Sequence, residues 1–206
     1  RVELDLFYPK NNFLSKVKKR CEDVGALLIL DELQTGLGRT GKLFAFEHFK
    51  IAPDILLLGK ALGGGFPIGA MITKKSTMNL FQNNPILGHI TTFGGHPVIA
   101  AAGYETLSII LRNKLSKQTL QKEKLFKKLL VHPLIREVRG KGLMLALIMK
   151  SDKLANDLVI SAMSQGLILF WLLYDKRAVR ITPPLTISNS EIKEGCKIIL
   201  SILESI

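Results

Sequence analysis

The stretch LLILDELQTGLGRTGKLFAFEHFKIAPDILLLGK, residues 27–60, holds two apolar runs of one design. Leu27-Leu28-Ile29-Leu30 leads directly into Asp31, and Ile55-Leu56-Leu57-Leu58 leads through Gly59 into Lys60. A short unbroken apolar run is the pattern of a strand buried on both faces, as in a parallel sheet. Ligands of open α/β sheets bind beyond the carboxyl ends of such strands. Asp31 and Lys60, opposite charges closing two buried strands, are therefore expected at one ligand site. Taken alone, the pair is equally consistent with a structural ion pair at a sheet end.

Upstream, Asn11-Asn12 can cap a helix whose apolar face is Phe13, Val17, Cys21 and Val24, and Gly25 suits its stop. A helix feeding a buried strand fits a β-α-β winding. Between the two runs, Gly36-Leu37-Gly38-Arg39-Thr40-Gly41 has the spacing G-x-G-x-x-G. It is a weak dinucleotide fingerprint, because no opening helix reads clearly after it, and a flexible loop near the site is the better reading. Gly59-Lys60 is no phosphate loop, since Ala61 stands where Ser or Thr is required.

Downstream, Gly63-Gly64-Gly65 permits a sharp turn, Pro67 to Thr73 reads as a strand, and Asn83 to His89 as a loop. Thr91-Thr92-Phe93-Gly94-Gly95 offers hydroxyls and unhindered N–H groups suited to an anion, or to an ordinary turn. His96-Pro97 opens a long helical stretch that breaks at Asn113 and resumes from Leu120 to Leu130. Beyond it the expected order is strand (LMLALIM, after an Arg139-Gly140-Lys141-Gly142 turn), helix (Leu154–Ser164), strands (Leu167–Leu173 and Val179–Ile181) and helix. The last helix has a capping box, Ser188-x-x-Glu191, and an apolar face of Ile192, Cys196, Ile199 and Leu203.

Composition narrows the function classes. The 206 residues are 47% hydrophobic, enough for one large domain or two smaller ones, and no apolar run is long enough to span a membrane. The start, RVELDLFYPK, has no apolar stretch of signal-peptide length and no initiator Met, so an earlier part of the chain is expected. Cys21 and Cys196 are the only cysteines and both fall in helical patterns, which fits buried thiols in a reducing, cytoplasmic compartment. The net charge of +12 concentrates at Lys16–Arg20 and Lys122–Lys128. Both clusters alternate with apolar residues at helical spacing and read as solvated helix faces. No zinc-ligand spacing or RNA-binding aromatic motif supports a metal or nucleic acid.

Several motifs together resemble the class III, ornithine-type aminotransferases. They are Asp31-Glu32-x-Gln34-Thr35-Gly36-x-Gly38-Arg39-Thr40-Gly41, Pro53-Asp54-Ile55 leading to Lys60-Ala61-Leu62-Gly63-Gly64-Gly65, Thr91-Thr92-Phe93-Gly94-Gly95-His96-Pro97, Arg139-Gly140-Lys141-Gly142, and Arg180-x-x-Pro183-Pro184. The resemblance runs in order along nearly the whole chain. It implies an α/β fold of the fold-type I pyridoxal-phosphate transferases. Residues 1–130 would be the later part of the mainly parallel, cofactor-binding large domain with its linking helices, and residues 131–206 a small C-terminal α/β domain. It implies pyridoxal 5′-phosphate as cofactor and a homodimer with shared active sites.

Residue roles follow from the same resemblance. Lys60 is expected to form the Schiff base with the cofactor aldehyde, for which part of its amine must be neutral. Asp31 is expected to keep the cofactor's pyridine nitrogen protonated, making a better electron sink. Gln34 resembles the residue bonding the ring oxygen, and Thr92 the phosphate ligand that reaches the neighbouring subunit's cofactor. Arg180 resembles the arginine that binds a substrate carboxylate, a task suited to its planar fork. Glu3 matches by position the glutamate that covers that arginine in ornithine-type members. The plain alternatives are a loop acid for Glu3 and a surface strand arginine for Arg180.

The implied reaction moves an amino group from an ω-amine or amino acid, ornithine-like or acetylornithine-like, to a 2-oxo acid such as 2-oxoglutarate. Another pyridoxal-phosphate reaction on the same fold, an aminomutase or decarboxylase, is the alternative enzyme; a truncated, non-catalytic homologue is the alternative outside enzymes. The chain departs from the pattern in Gly59, where Ala or Ser is usual, and His96, where Asn is usual. The family's main phosphate-cradling loop and stacking aromatic would lie ahead of its glutamate motif.

Overall fold

The computed structural model describes Pro9 and residues 12–206. Glu3 lies outside the described residues. The described chain forms two compact units. The first comprises Pro9–Leu37 and Phe44–Asn113; the second takes 38–43 and 114–206. The chain thus leaves the first unit for a short excursion at residue 38, returns at residue 44, and leaves again after Asn113.

The first unit opens with helix α1 (Phe13–Asp23), strand β1 (Ile29–Asp31) and strand β2 (Ile55–Gly59). Strand β3 (Gly69–Thr73), a short helix α2 (Lys75–Met78) and the long helix α3 (Pro97–Arg112) follow. The sheet order is β1-β2-β3, with β1 and β2 parallel and β3 antiparallel to β2. The two apolar runs thus pair side by side, as expected. Their burial differs. In β2, Leu56 and Leu58 are 7% and 5% exposed. In β1, Ile29 is 53% exposed, so the first run is not buried on both faces. The reason is position: β2 has a neighbour on each side, whereas β1 is an edge among the described residues.

Helix α1 corrects two further expectations. Asn12 does stand at its N-cap, but in a left-handed conformation with no side-chain bond to the helix. No residue of α1 is buried, and Phe13 and Val24 are exposed. The helix is held instead by polar contacts. Ser15 Oγ donates to the Phe49 carbonyl (3.1 Å), and Lys18 Nζ meets the Asp54 carboxylate (2.9 Å). Asp54 also accepts the Leu28 N–H at 2.8 Å, which draws α1 and the start of β1 onto the approach to β2.

The second unit contains helix α4 (Leu115–Leu129), strands β4 (Ile135–Lys141) and β5 (Met144–Met149), and helix α5 (Asp152–Ser164). Strands β6 (Phe170–Trp171) and β7 (Ala178–Ile181) and helix α6 (Asn189–Ser205) complete it. Its sheet runs β4-β5-β7-β6, antiparallel throughout. Every residue of β5 is buried. One face of β5 packs Leu145, Leu147 and Met149 against Leu158 and Ala162 of α5, Ile192, Cys196 and Ile199 of α6, and Phe126 of α4. That core places α4 in the second unit by packing, whereas the expected domain division falls after it at residue 130.

Ser188 and Glu191 form the expected capping box: Ser188 Oγ accepts the Glu191 N–H (3.2 Å) and Glu191 accepts the Ser188 N–H (2.7 Å). The expected apolar face of α6 is buried. Burial pushes the Cys196 thiol up to about 12. Three readings change. Arg139 to Lys141 belong to strand β4, not to a turn, and the two-residue turn Gly142-Leu143 reverses the chain. The expected strand Leu167–Leu173 shrinks to Phe170–Trp171. Lys122, placed on a solvated face, is 7% exposed and donates to the Leu185 carbonyl at 2.6 Å. No described helix is long and apolar enough to cross a membrane, and no cluster of metal-ligating side chains occurs among the described residues.

Candidate functional site

Asp31 and Lys60 stand at the carboxyl ends of neighbouring parallel strands. The ladder pairs Asp31 with Leu57, and Lys60 follows the last residue of β2. Both side chains are exposed. Asp31 Oδ1 accepts the Leu33 N–H at 3.0 Å, which turns the chain sharply out of the strand and orients the carboxylate. Lys60 begins a single 3-10 turn, Lys60–Gly63, with φ at 46°. A lysine in the left-handed region costs conformational energy, and such residues gather at functional sites.

The turn carrying Lys60 is set by its neighbours. Gly59 is buried, and a Cβ there would come within 3.0 Å of the Ile68 carbonyl and 3.4 Å of Leu33. A side chain at position 59 would thus require these neighbours to shift by a few tenths of an ångström. On the far side Gly64 takes φ at 59°, and a Cβ would collide with Thr106 Oγ1 of α3. The backbone therefore approaches α3 as closely as glycine allows, which fixes the turn against a long helix.

Glu32 is the residue that sequence reasoning passed over. Its carboxylate is 4% exposed. It accepts the Thr35 hydroxyl (3.1 Å) and the N–H groups of Ala45 (2.7 Å) and Phe46 (2.8 Å). Its backbone carbonyl accepts the Gly36 N–H at 3.0 Å. Desolvation nevertheless pushes its carboxyl above the usual range, against the lowering by those donors. Glu32 thus closes the loop 32–46 on itself, with Gln34 inside the closed bend. A buried carboxylate in a Gly-rich stretch leaves no periodic trace; the available signal was its place inside the motif itself.

Thr92 lies exposed in the loop before α3. The loop is tightened by Gly94 N–H to Thr91 O (3.2 Å) and His96 N–H to Phe93 O (3.2 Å), and Pro97 starts the helix. Thr91 and Phe93–His96 line a cleft of about 630 Å³ together with Pro67–Gly69 and the first turns of α3. A polar loop ahead of a long helix N-terminus is suited to an anion. Neither Asp31 nor Lys60 lines this cleft. Within the first unit, the strand-end pair and the threonine loop are therefore separate features of the described chain.

Arg180 belongs to the second unit. It faces Ala146 of β5 and Phe170 of β6 across the ladders, and its guanidinium lies 5.9 Å from the Phe170 ring centroid. It has no carboxylate partner among the described residues.

The donor set suits pyridoxal phosphate by its chemistry. An exposed carboxylate ends one strand and an exposed amine the next, and a hydroxyl-bearing, glycine-rich loop precedes a helix.

Comparison with known proteins gives a consistent result. The sequence pattern of the family described as Aminotransferase class-III matches residues 3–203. Ornithine aminotransferase from Toxoplasma gondii, whose structure shows partial occupancy of PLP at its active site, is 33% identical with a TM-score of 0.88, over 96% of this chain and 47% of its own. Acetylornithine aminotransferase from Elizabethkingia anophelis is 32% identical with a TM-score of 0.89, over 100% of this chain and 52% of its own. Ornithine aminotransferase from Plasmodium yoelii is 32% identical with a TM-score of 0.89, over 98% and 54%. The chain spans about half the length of these solved structures.

Proposed function

We propose that this chain, which belongs to the class III aminotransferase family, serves a pyridoxal-phosphate-dependent transfer of an amino group from an ω-amine or amino acid of the ornithine or acetylornithine type to a 2-oxo acid such as 2-oxoglutarate. The observation that carries this reading is the placement of Asp31 and Lys60 at the ends of adjacent parallel strands. The ornithine and acetylornithine aminotransferases among its structural relatives support the substrate class.

Pyridoxal phosphate, when bound, supplies a protonated ring that takes up the electron pair left at the reacting carbon of the substrate. Asp31 would hold the ring nitrogen and, as an anion, keep it protonated. Gln34 would bond the ring oxygen, and Thr92 the phosphate of a neighbouring subunit's cofactor, which makes a homodimer the working form. Lys60 would hold the cofactor covalently through Nζ. The same Nζ would also be the base that accepts the proton leaving the donor's reacting carbon. Arg180 would bind the carboxylate of the 2-oxo acid in a two-point contact, and Glu3 would cover Arg180 when an ω-amine is the donor. Both cysteines are free thiols, which supports a reducing, cytoplasmic setting.

The test uses the encoded full chain. It is loaded with pyridoxal phosphate and reduced with borohydride, and its peptides are mapped. The label is expected on Lys60, and transamination of ornithine or acetylornithine with 2-oxoglutarate is expected by cofactor absorbance. A label on another lysine rejects the assignment; absence of transfer with every amine rejects the reaction.

A further inference from the structure

Beyond β7 the chain reads Thr182-Pro183-Pro184-Leu185. Two consecutive prolines offer no N–H, so this exit cannot extend the ladder by donating. Its carbonyls supply much of the hold, beside the Leu185 side chain, which packs against the core. Arg39 Nη1 donates to the Pro183 carbonyl and also to the Leu143 carbonyl at 3.2 Å. The bond is returned, since the Leu143 N–H donates to the Arg39 carbonyl at 2.9 Å. Lys122 Nζ donates to the Leu185 carbonyl at 2.6 Å. The Pro184 carbonyl takes the Ile187 N–H at 3.1 Å.

A half-buried arginine and a buried lysine thus serve one proline exit. Burial lowers the pKa of both, and neither forms an ion pair among the described residues. Desolvating a cation is costly, and backbone carbonyls are the direct partners that offset the cost here, with Glu191 acting on Lys122 through its field. The excursion 38–43 is packed for the purpose. Thr119 Oγ1 donates to the Gly38 carbonyl at 3.2 Å. Gly142, at φ 63°, leaves no room for a Cβ against the Arg39 carbonyl.

What this exit borders is Arg180. The last ladder pair of β7 is Ile181 with Leu145, and the next is Arg180 with Ala146. Strand ends open from the last pair inward, so an untethered exit would loosen Arg180 almost at once. We propose that Arg39 and Lys122 are positioning residues for Arg180: by holding the carbonyls of the proline exit they keep the end of β7 closed and the guanidinium beside Phe170. The role of Arg180 toward a carboxylate rests on the aminotransferase reading; the tether does not.

Arg39→Lys and Lys122→Met in the encoded full chain test it. Arg39→Lys keeps the charge but loses the fixed, planar placement of the Nη1 group that donates to both segments. The expected result is a KM for the 2-oxo acid raised about tenfold with kcat held within about twofold. Amide hydrogen exchange should quicken in β7 and leave α5 unchanged. Lys122→Met should show the same split more weakly, and it carries the test if Arg39→Lys does not fold. Folded variants with unchanged exchange in β7 overturn the proposal, as does a fall in kcat with KM unmoved. Should the wild-type chain transfer no amino group, the aminotransferase reading fails, and exchange in β7 still decides the tether.

Discussion

Asp31 and Lys60 close strands that run parallel and side by side, with Asp31 facing Leu57 in the ladder and Lys60 immediately beyond Gly59. The parallel pairing of β1 with β2, across 26 residues of sequence, brings both charges to the same end of the sheet. The chemistry of the pair is separable from its structure, since among the described residues the Asp31 side chain bonds the local Leu33 N–H.

Asp31→Asn keeps that local acceptor and removes the charge. Melting temperature is expected to stay close to wild type. Turnover in the encoded full chain is expected to fall at least about a hundredfold, as for loss of a charge that acts mainly in the transition state. Wild-type turnover with an unchanged cofactor spectrum would make Asp31 a structural residue only.

The substrate switch assigned to Glu3 and Arg180 predicts opposite effects of two truncations. Glu3→Ala should shift donor preference toward α-amino acids while the 2-oxo acid half-reaction is largely kept. Arg180→Ala should raise the KM for the 2-oxo acid by about tenfold to a hundredfold, the usual weight of a charge-assisted bond. Half-reactions followed by cofactor absorbance separate the two. An unchanged ratio of ω- to α-donor kcat/KM in Glu3→Ala would end the switch.

Glu32 is expected to matter for stability before chemistry. Glu32→Gln replaces an acceptor of two backbone N–H groups with an amide that can satisfy only part of the set, at a cost of about 1–3 kcal/mol in denaturant unfolding. The pH dependence has a definite sign. Because desolvation raises the folded carboxyl above its unfolded value, the native state binds the proton more tightly. Stability contributed by Glu32 is therefore greatest below the unfolded value and declines as pH rises through the folded one. Glu32→Gln should lack that decline, and an identical pH slope in both proteins would refute the assignment.

Asp54 predicts the opposite slope. Its carboxyl is held below the usual aspartate range, first by the Leu28 N–H and then by Lys18. Its contribution is present above the unfolded value and is lost as pH falls through the lower, folded one. Unfolding at about pH 6 and about pH 3 should therefore show a larger acid loss in wild type than in Asp54→Asn. Equal losses would show that the α1–β2 junction does not depend on this group.

Local patterns by themselves determined a good part of this molecule. The apolar run before Lys60 marked β2, the Ser188–Glu191 spacing marked the start of α6, and its three- and four-residue apolar steps marked the buried face. Each signal lies within a few residues of what it specifies. The motifs around Asp31, Lys60 and Thr92 likewise placed the candidate site on two strand ends and a helix approach.

Tertiary structure alone decided the rest. Whether Ile29 is covered depends on how many strands flank β1, which its own residues do not encode. Strand β4 reads as polar because it is an edge of its sheet among the described residues, and its identity comes from pairing with β5. Glu32, Arg39 and Lys122 look like surface charges until their partners are known. Those partners, the N–H groups of Ala45 and Phe46 and the carbonyls of Leu143, Pro183 and Leu185, are backbone groups that every residue carries, so no side-chain pattern marks them. The Arg39 contacts span 104 and 144 residues of chain, and only the folded backbone brings those carbonyls within reach of one guanidinium.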